Sequence, residues 1–360
     1  MESLGVSKNF WSGRSIFLTG HTGFMGGWLA AYLIHCGAHV HGYALAPNTE
    51  PAFFDATGLQ SRLASSVLAD VGELDQLCRV LDQAAPSVVF HLAAQPLVRY
   101  AHAHPIETVR SNVMGTANLL EAVRRNPGVK AVAVVTTDKV YRNLERAEPY
   151  TEDDELGGRE LYSASKAASE FIVDAWQHSY LNEQGKGVAT IRAGNIFGGG
   201  DWAADRLVPD AIRTFSTGQP LVLRNPASTR PWQHVLDPLR GYLVLAERLV
   251  NQPKQFSGKW NFGPDVQDCR PVGDLAHLLA ASWSDGARVE TQASDSVFEE
   301  RLLALDSSKA ADRLGWIPHW PLETGVEKTV QWYQAYAAGA DMWDVTIRQI
   351  EAMELGRAGA

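Results

Sequence analysis

Ser15-Ile16-Phe17-Leu18-Thr19-Gly20-His21-Thr22-Gly23-Phe24-Met25-Gly26-Gly27-Trp28-Leu29-Ala30 is the stretch of this 360-residue chain that decides its architecture. The apolar run Ser15 to Thr19 predicts a strand, the glycines predict a tight turn, and Met25 to Cys36 predicts a helix. Gly20, Gly23 and Gly26 follow the spacing G-x-x-G-x-x-G between that strand and that helix. Such a turn lets the main chain approach a pyrophosphate and aims a helix N-terminus at it. Glycines also make ordinary turns. The strand, turn and helix setting is what favours a dinucleotide site built from Gly20, Thr22, Gly23, Phe24, Met25 and Gly26.

Outward from this stretch, apolar strand candidates recur at Val40 to Leu45, Ser66 to Leu68, Ser87 to Leu92, Lys130 to Thr136 and Gly187 to Ile191, separated by helical periods. That alternation predicts an α/β fold, a Rossmann-type doubly wound parallel sheet with helices on both faces. One helix is expected from Pro105 to Arg125, ending before Asn126-Pro127-Gly128. After Asn195 the chain becomes rich in Gly, Pro, Trp and Arg. A first domain over 1–195 and a smaller α/β C-terminal substrate lobe over 196–360 are therefore expected.

A net charge of -9 gives no basic field for nucleic acid, so a phosphate ligand should meet local groups on a small molecule. Cys36, Cys78 and Cys269 are few and far apart, which argues against a disulfide framework or a metal site. Met1-Glu2-Ser3-Leu4-Gly5 has no basic segment followed by an apolar run, and no stretch reaches the ~18 apolar residues of a membrane span. The expectation is a cytoplasmic protein with no membrane partner.

Two further patterns carry chemistry. Tyr162 and Lys166 are four residues apart and share a helical face. A cation near a phenol favours phenolate, which can take a hydroxyl proton as hydride leaves the same carbon. Thr136-Thr137-Asp138-Lys139 closes the fifth strand at the carboxyl edge, where open α/β sheets bind ligands; Thr136, Asp138 and Lys139 are its candidate catalytic residues. Asp70, with Val71 beside it after the third strand, is a candidate acceptor for an adenine amino group. The second strand ends in Gly42-Tyr43-Ala44-Leu45-Ala46, with neither an acid for a ribose hydroxyl nor an arginine for a 2′-phosphate. NAD is favoured over NADP only by that missing arginine. His21, His91, Trp202 and Trp232 read as packing residues.

Together these motifs resemble the extended short-chain dehydrogenase/reductases, in particular the nucleotide-sugar epimerases and dehydratases. His91-Leu92-Ala93-Ala94 is similar to the family's fourth-strand segment, and Asn112-Val113-Met114-Gly115-Thr116 to its N-x-x-G-T segment. The resemblance implies that Leu92, Ala93, Ala94, Asn112, Tyr162 and Lys166 face the cofactor. Within the family the likeness is to the CDP-glucose 4,6-dehydratases, through Gln95 to Arg99, Asp138-Lys139, and Gly199-Gly200-Asp201-Trp202 with Asp205-Arg206. Most other sugar-nucleotide 4,6-dehydratases carry Asp-Glu where this chain has Asp138-Lys139. The resemblance implies Gln95, Arg99, Asn195, Arg206, Arg230 and His234 as substrate-binding residues, and CDP-glucose as the substrate. It also implies Tyr162 as proton acceptor, Asp138 as acid for the departing hydroxyl, and Lys139 as base, as enolate stabiliser or as the group that positions Asp138. A segment near 233–262 should return to the first domain, and the helices at Pro105 and Tyr162 resemble those that pair in homodimers or homotetramers of the family.

Overall fold

The computed structural model describes residues 5–146, 148–284, 286–292 and 303–355; Met1 to Leu4 of the N-terminal stretch lie outside the described residues. Seven strands form one sheet: β1 (Ser15–Thr19), β2 (His39–Ala44), β3 (Ser65–Leu68), β4 (Val88–His91), β5 (Ala131–Val135), β6 (Gly187–Arg192) and β7 (Gly258–Asn261). Their order is β7-β6-β5-β4-β1-β2-β3, and every neighbouring pair is parallel. The strands read from the sequence lie within a residue of these bounds at each end. The order reverses at β1 and β4, which opens a crevice at their carboxyl ends.

Side chains alternate across each strand, so one apolar run feeds two cores. Ile16, Leu18, Val88, Phe90, Ala131, Ala133, Ala189 and Ile191 pack on one face, with α1 (Phe24–His35) and, later in the chain, the helix Leu236–Asn251. Phe17, Val89, Val132, Val134 and Val188 pack on the other, beneath α2 (Leu74–Ala84), α3 (Gly115–Arg125) and α4 (Leu161–Trp176). The later helix, α5 (Leu236–Asn251), and β7 come back to the sheet after the chain has left it at Arg192. Beyond the sheet the chain forms the helices Leu207–Ser216 and Val272–Trp283, with Leu221–Leu223 paired to Val289–Thr291 and Thr229–Pro231 to Cys269–Pro271. Among the described residues no helix is long and apolar enough to cross a membrane.

The helix expected from Pro105 to Arg125 is not regular. A wide π turn over Arg110–Met114 separates Pro105–Val109 from α3. It leaves the Asn112 carbonyl to accept from the hydroxyls of Thr116 at 2.7 Å and Ser169 at 2.8 Å. Periodicity could not announce this, because one wide turn hardly changes the apolar stripe.

Beneath the carboxyl edge lies an ion pair with no solvent exposure on either side chain. Arg192 donates from Nε and Nη2 to the two Glu170 oxygens, both at 3.0 Å. Thr136 and Thr190 donate to the same carboxylate at 2.6 and 2.7 Å. Arg192 Nη1 continues to the Tyr141 hydroxyl at 2.8 Å, which donates to Asn261 Oδ1 at 2.7 Å. Burial opposes the Arg192 charge, but Glu170 and Tyr141 more than offset it and its pKa is raised. Removing one partner would strand the other charge in the core. Glu170→Ala is therefore expected to lower unfolding stability by about 3–5 kcal/mol, read as a lower midpoint in urea denaturation; an unchanged midpoint would contradict it.

Candidate active site

The glycine turn divides its work among three positions. Gly20 has φ 82, and a Cβ there would lie 2.7 Å from the Ala93 nitrogen, so only glycine lets the turn touch the loop after β4. At Gly26 a Cβ would fall 2.0 Å from the Gly20 carbonyl, so the third glycine seats α1 against the turn. Gly23, which caps α1, meets nothing closer than 3.5 Å there. Its face and the first α1 amides, Phe24 and Met25, remain as a cradle for a diphosphate. Thr22 donates to the Leu45 carbonyl at 2.8 Å and ties the turn to the end of β2.

On the other wall of the crevice, Thr19 Oγ1 accepts from the Leu92 and Ala93 amides, each at 3.2 Å. Ala94 follows in the same loop. Asn112, 1% exposed, accepts from the Gln95 amide at 2.8 Å and donates to Ser165 Oγ at 2.9 Å, stapling this loop to α4. Asp70 accepts from the Gly72 amide at 2.7 Å and lies 3.7 Å from Arg110, while Val71 packs against Gly115.

Tyr162 and Lys166 are brought in by the first turns of α4. That helix is capped by Glu160, whose carboxylate accepts from the Tyr162 and Ser163 amides, both at 2.7 Å. Lys166 Nζ donates to the Val135 carbonyl at 3.0 Å, and burial draws its pKa down to about 8 against the pull of Glu170. Burial pushes the Tyr162 phenol up to about 12; a Thr137 hydrogen bond and the Arg206 charge act downward, Asp138 and Glu160 upward. The lowering of the phenol expected from its lysine does not prevail, because enclosure penalises phenolate and raises the pKa instead.

The hydroxyl at this centre is that of Thr137. It bonds Tyr162 and donates to Asp138 Oδ1 at 3.0 Å, whereas Thr136 is turned under the sheet to Glu170 and the Ile191 carbonyl. Thr136 must be replaced by Thr137 among the candidates; consecutive residues at a strand end face opposite ways, and the sequence did not reveal which. Asp138, 1% exposed, and Lys139 form a single 3-10 turn after β5.

The substrate candidates separate. Arg206 is held by Asp201 at 2.8 Å; burial opposes its charge, Asp201 more than compensates, and its pKa is raised. Asn195, in the left-handed region with φ 44, sits just beyond β6. Arg99 is exposed and pairs with Asp205 at 2.8 Å. Gln95 spends its side chain on Thr108 and the Leu97 amide. Arg230 lies in the outer Thr229–Pro231 strand and donates to the Thr229 carbonyl at 2.9 Å. His234 is a correction: its ring is enclosed by Trp320, Trp28 and Phe197, with Nδ1 accepting from the Leu236 amide, so a ligand has no access to it. His21 and His91 are also packed inside, bonded to Ser66 and to Thr19 and Thr116. Trp202 packs on Trp332, Tyr333 and Tyr336, and Trp232 bonds the Arg270 carbonyl. Among the described residues no group of acids, histidines and cysteines could hold a metal.

The sequence profile of the GDP-mannose 4,6 dehydratase family matches residues 17–329. The chain belongs to this family. These 4,6-dehydratases are extended short-chain dehydrogenase/reductases in fold. The chain is 43% identical to the CDP-glucose 4,6-dehydratase of Salmonella typhimurium, over 96% of itself and 97% of that relative. It is 30% identical to the dTDP-glucose 4,6-dehydratase of Neisseria gonorrhoeae, over 89% and 95%. Among solved structures, the dTDP-glucose 4,6-dehydratase of Streptomyces venezuelae with NAD and TYD bound superposes with TM-score 0.75 at 24% identity, covering 91% of this chain and 99% of that one.

For this family member the enclosed histidines set an acid limit. Burial draws His21 down to about 4 and His91 and His234 down to about 3. Each folded-state value is depressed below the unfolded ~6.5, so the stability is fully present above that pH and is lost as the pH falls towards 4 and 3. Each histidine is expected to remove about 2 kcal/mol between pH 7 and 5. Urea midpoints at the two pH values check this, and His234→Asn should show the smaller drop.

Proposed function

We propose that the protein is an NAD-dependent CDP-glucose 4,6-dehydratase, converting CDP-glucose to CDP-4-keto-6-deoxyglucose and water. The observation that carries the reading is Thr137, Tyr162 and Asp138 joined at one strand end, a proton acceptor beside an acid. Identity of 43% over nearly the whole chain to a CDP-glucose 4,6-dehydratase supports the substrate. The cradle at Gly20, Gly23 and Gly26 fits a dinucleotide diphosphate, with Phe24 and Met25 amides at its base and Asp70 towards the adenine. NAD, when bound, supplies the hydride acceptor for carbon 4 and the donor for carbon 6, so no redox change remains at the end.

The chain's own groups handle the protons. Tyr162, as phenolate, takes the carbon-4 hydroxyl proton, Thr137 stays hydrogen-bonded to the phenolic oxygen, and Lys166 on the same helical face supplies a cation that favours the phenolate. Oxidation at carbon 4 acidifies the carbon-5 hydrogen. Lys139 serves that proton transfer, and Asp138 protonates the carbon-6 oxygen as water leaves. Asn195, Arg206 and Arg230 are proposed for the substrate diphosphate, where guanidinium groups suit phosphate oxygens. A 4-epimerase would use Tyr162 and Lys166 but has no task for an acid at Asp138.

Incubation with a panel of nucleotide-activated glucoses and no added oxidant should yield a product lighter by one water from CDP-glucose, read by mass spectrometry. A product of unchanged mass, or one formed only from another nucleotide-sugar, would contradict the proposal. Tyr162→Phe should lower kcat by about 10²–10⁴. Asp138→Asn should slow water loss by a similar factor, and Lys139→Met should slow solvent-deuterium exchange at carbon 5.

The reading includes a cytoplasmic homo-oligomer. The three cysteines are free thiols, as suits a reducing compartment. Ile106, Met114, Phe171 and Tyr180 are exposed on the helical segments around α3 and α4, where a second copy would cover them. Phe171→Glu is expected to sediment as a smaller species than the wild type; identical sedimentation would remove this face from the interface.

A further inference from the structure

Asp138 is shaped by two residues outside the candidate site, Gly194 and Gln233. Its carboxylate lies over the bare Cα of Gly194. A Cβ at that position would come 1.8 Å from Oδ2, 2.2 Å from Cγ and 2.8 Å from Oδ1. The aspartate has little freedom to yield, since its amide donates to the Ala193 carbonyl at 3.1 Å, Thr137 donates to Oδ1 at 3.0 Å, and the residue is buried.

The backbone that makes this room is itself held. Asn195 turns the chain through the left-handed region at φ 44 directly after Gly194. Buried Gln233 spans the turn: its side-chain Nε2 donates to the Gly194 carbonyl at 3.2 Å and to the Phe262 carbonyl at 2.9 Å, and its amide donates to the Asn195 carbonyl at 3.3 Å. It reaches this place because Gln233–His234 pairs in parallel with Ile196–Phe197. One side chain thus locks the exit of β6 to the exit of β7.

We propose that Gly194 and Gln233 are positioning residues for Asp138: the glycine leaves the space its carboxylate occupies, and the glutamine pins the turn that keeps the space open. The inference rests on the reading of Asp138 as the acid for water loss. A methyl group at 194 must push the carboxylate or the strand exit aside, and a misplacement of about 1 Å at a reacting group can cost ~10²-fold in rate.

The test measures kcat and KM for CDP-glucose, with urea midpoints, in Gly194→Ala, Gln233→Leu, Asp138→Asn, Asp138→Ala and the double variant Asp138→Ala with Gly194→Ala. Gly194→Ala should lose roughly 10²-fold in kcat, and Gln233→Leu on the order of tenfold, with KM little changed in both. The urea midpoint should fall on adding Gly194→Ala to the wild type but hold when it is added to Asp138→Ala, where the colliding atoms are gone. If Gly194→Ala alone does not fold, a folded double variant supports the proposal and an unfolded one overturns it. Equal midpoint losses in the two backgrounds, or wild-type kcat in Gly194→Ala beside a crippled Asp138→Asn, overturn the positioning while leaving the function standing. Wild-type kcat in Asp138→Asn would instead overturn the role of Asp138.

Discussion

The buried pair of Glu170 and Arg192 is the constraint on which the catalytic edge depends. A charge pair with no water around it is tolerated only when nearly every donor and acceptor is matched. Here the matching draws in Thr136 directly after β5, Thr190 from β6, Tyr141 from further along the same segment, and Asn261 from β7. Glu170 belongs to α4, the helix of Tyr162 and Lys166. The pair therefore fixes helix α4 against the ends of three strands, and the position of Tyr162 over Thr137 follows from it.

The same geometry explains the division of the two threonines. Thr136 is committed to the buried carboxylate, so Thr137 must face the crevice with Asp138 and Tyr162. Enclosure then has opposite effects on the two titrating groups, lifting the Tyr162 phenol and lowering the Lys166 amine. Both shifts oppose charge, which leaves the site dependent on cationic neighbours when phenolate forms. Arg206, paired with Asp201, is one such neighbour and acts downward on the Tyr162 phenol.

Much of this was legible in the residue order. Apolar runs of strand length, interrupted by helical periods, specified a parallel sheet because only burial on both faces suits them. The glycine spacing specified the tight turn between β1 and α1 because Gly20 and Gly26 have no room for a side chain. Tyr162 and Lys166 were specified as a pair by the helical repeat alone. Such features are local: they depend on residues a few positions apart, and the backbone geometry that relates them is nearly invariant.

What only the tertiary structure decided involves residues distant in sequence. His234 looked like a ligand residue until the aromatic rings of Trp28, Phe197 and Trp320 closed around it. Thr136 and Thr137 were indistinguishable until the partner of each came from another element. Gly194 carried no signal and Gln233 only its place in the segment that returns to the sheet, since a glycine and a glutamine acquire this meaning only where β6 and β7 end side by side. The sequence determined the elements and the residues that stand at their edges; long-range packing decided which neighbouring side chain points into the crevice, because that choice is made by contacts between elements and not within them.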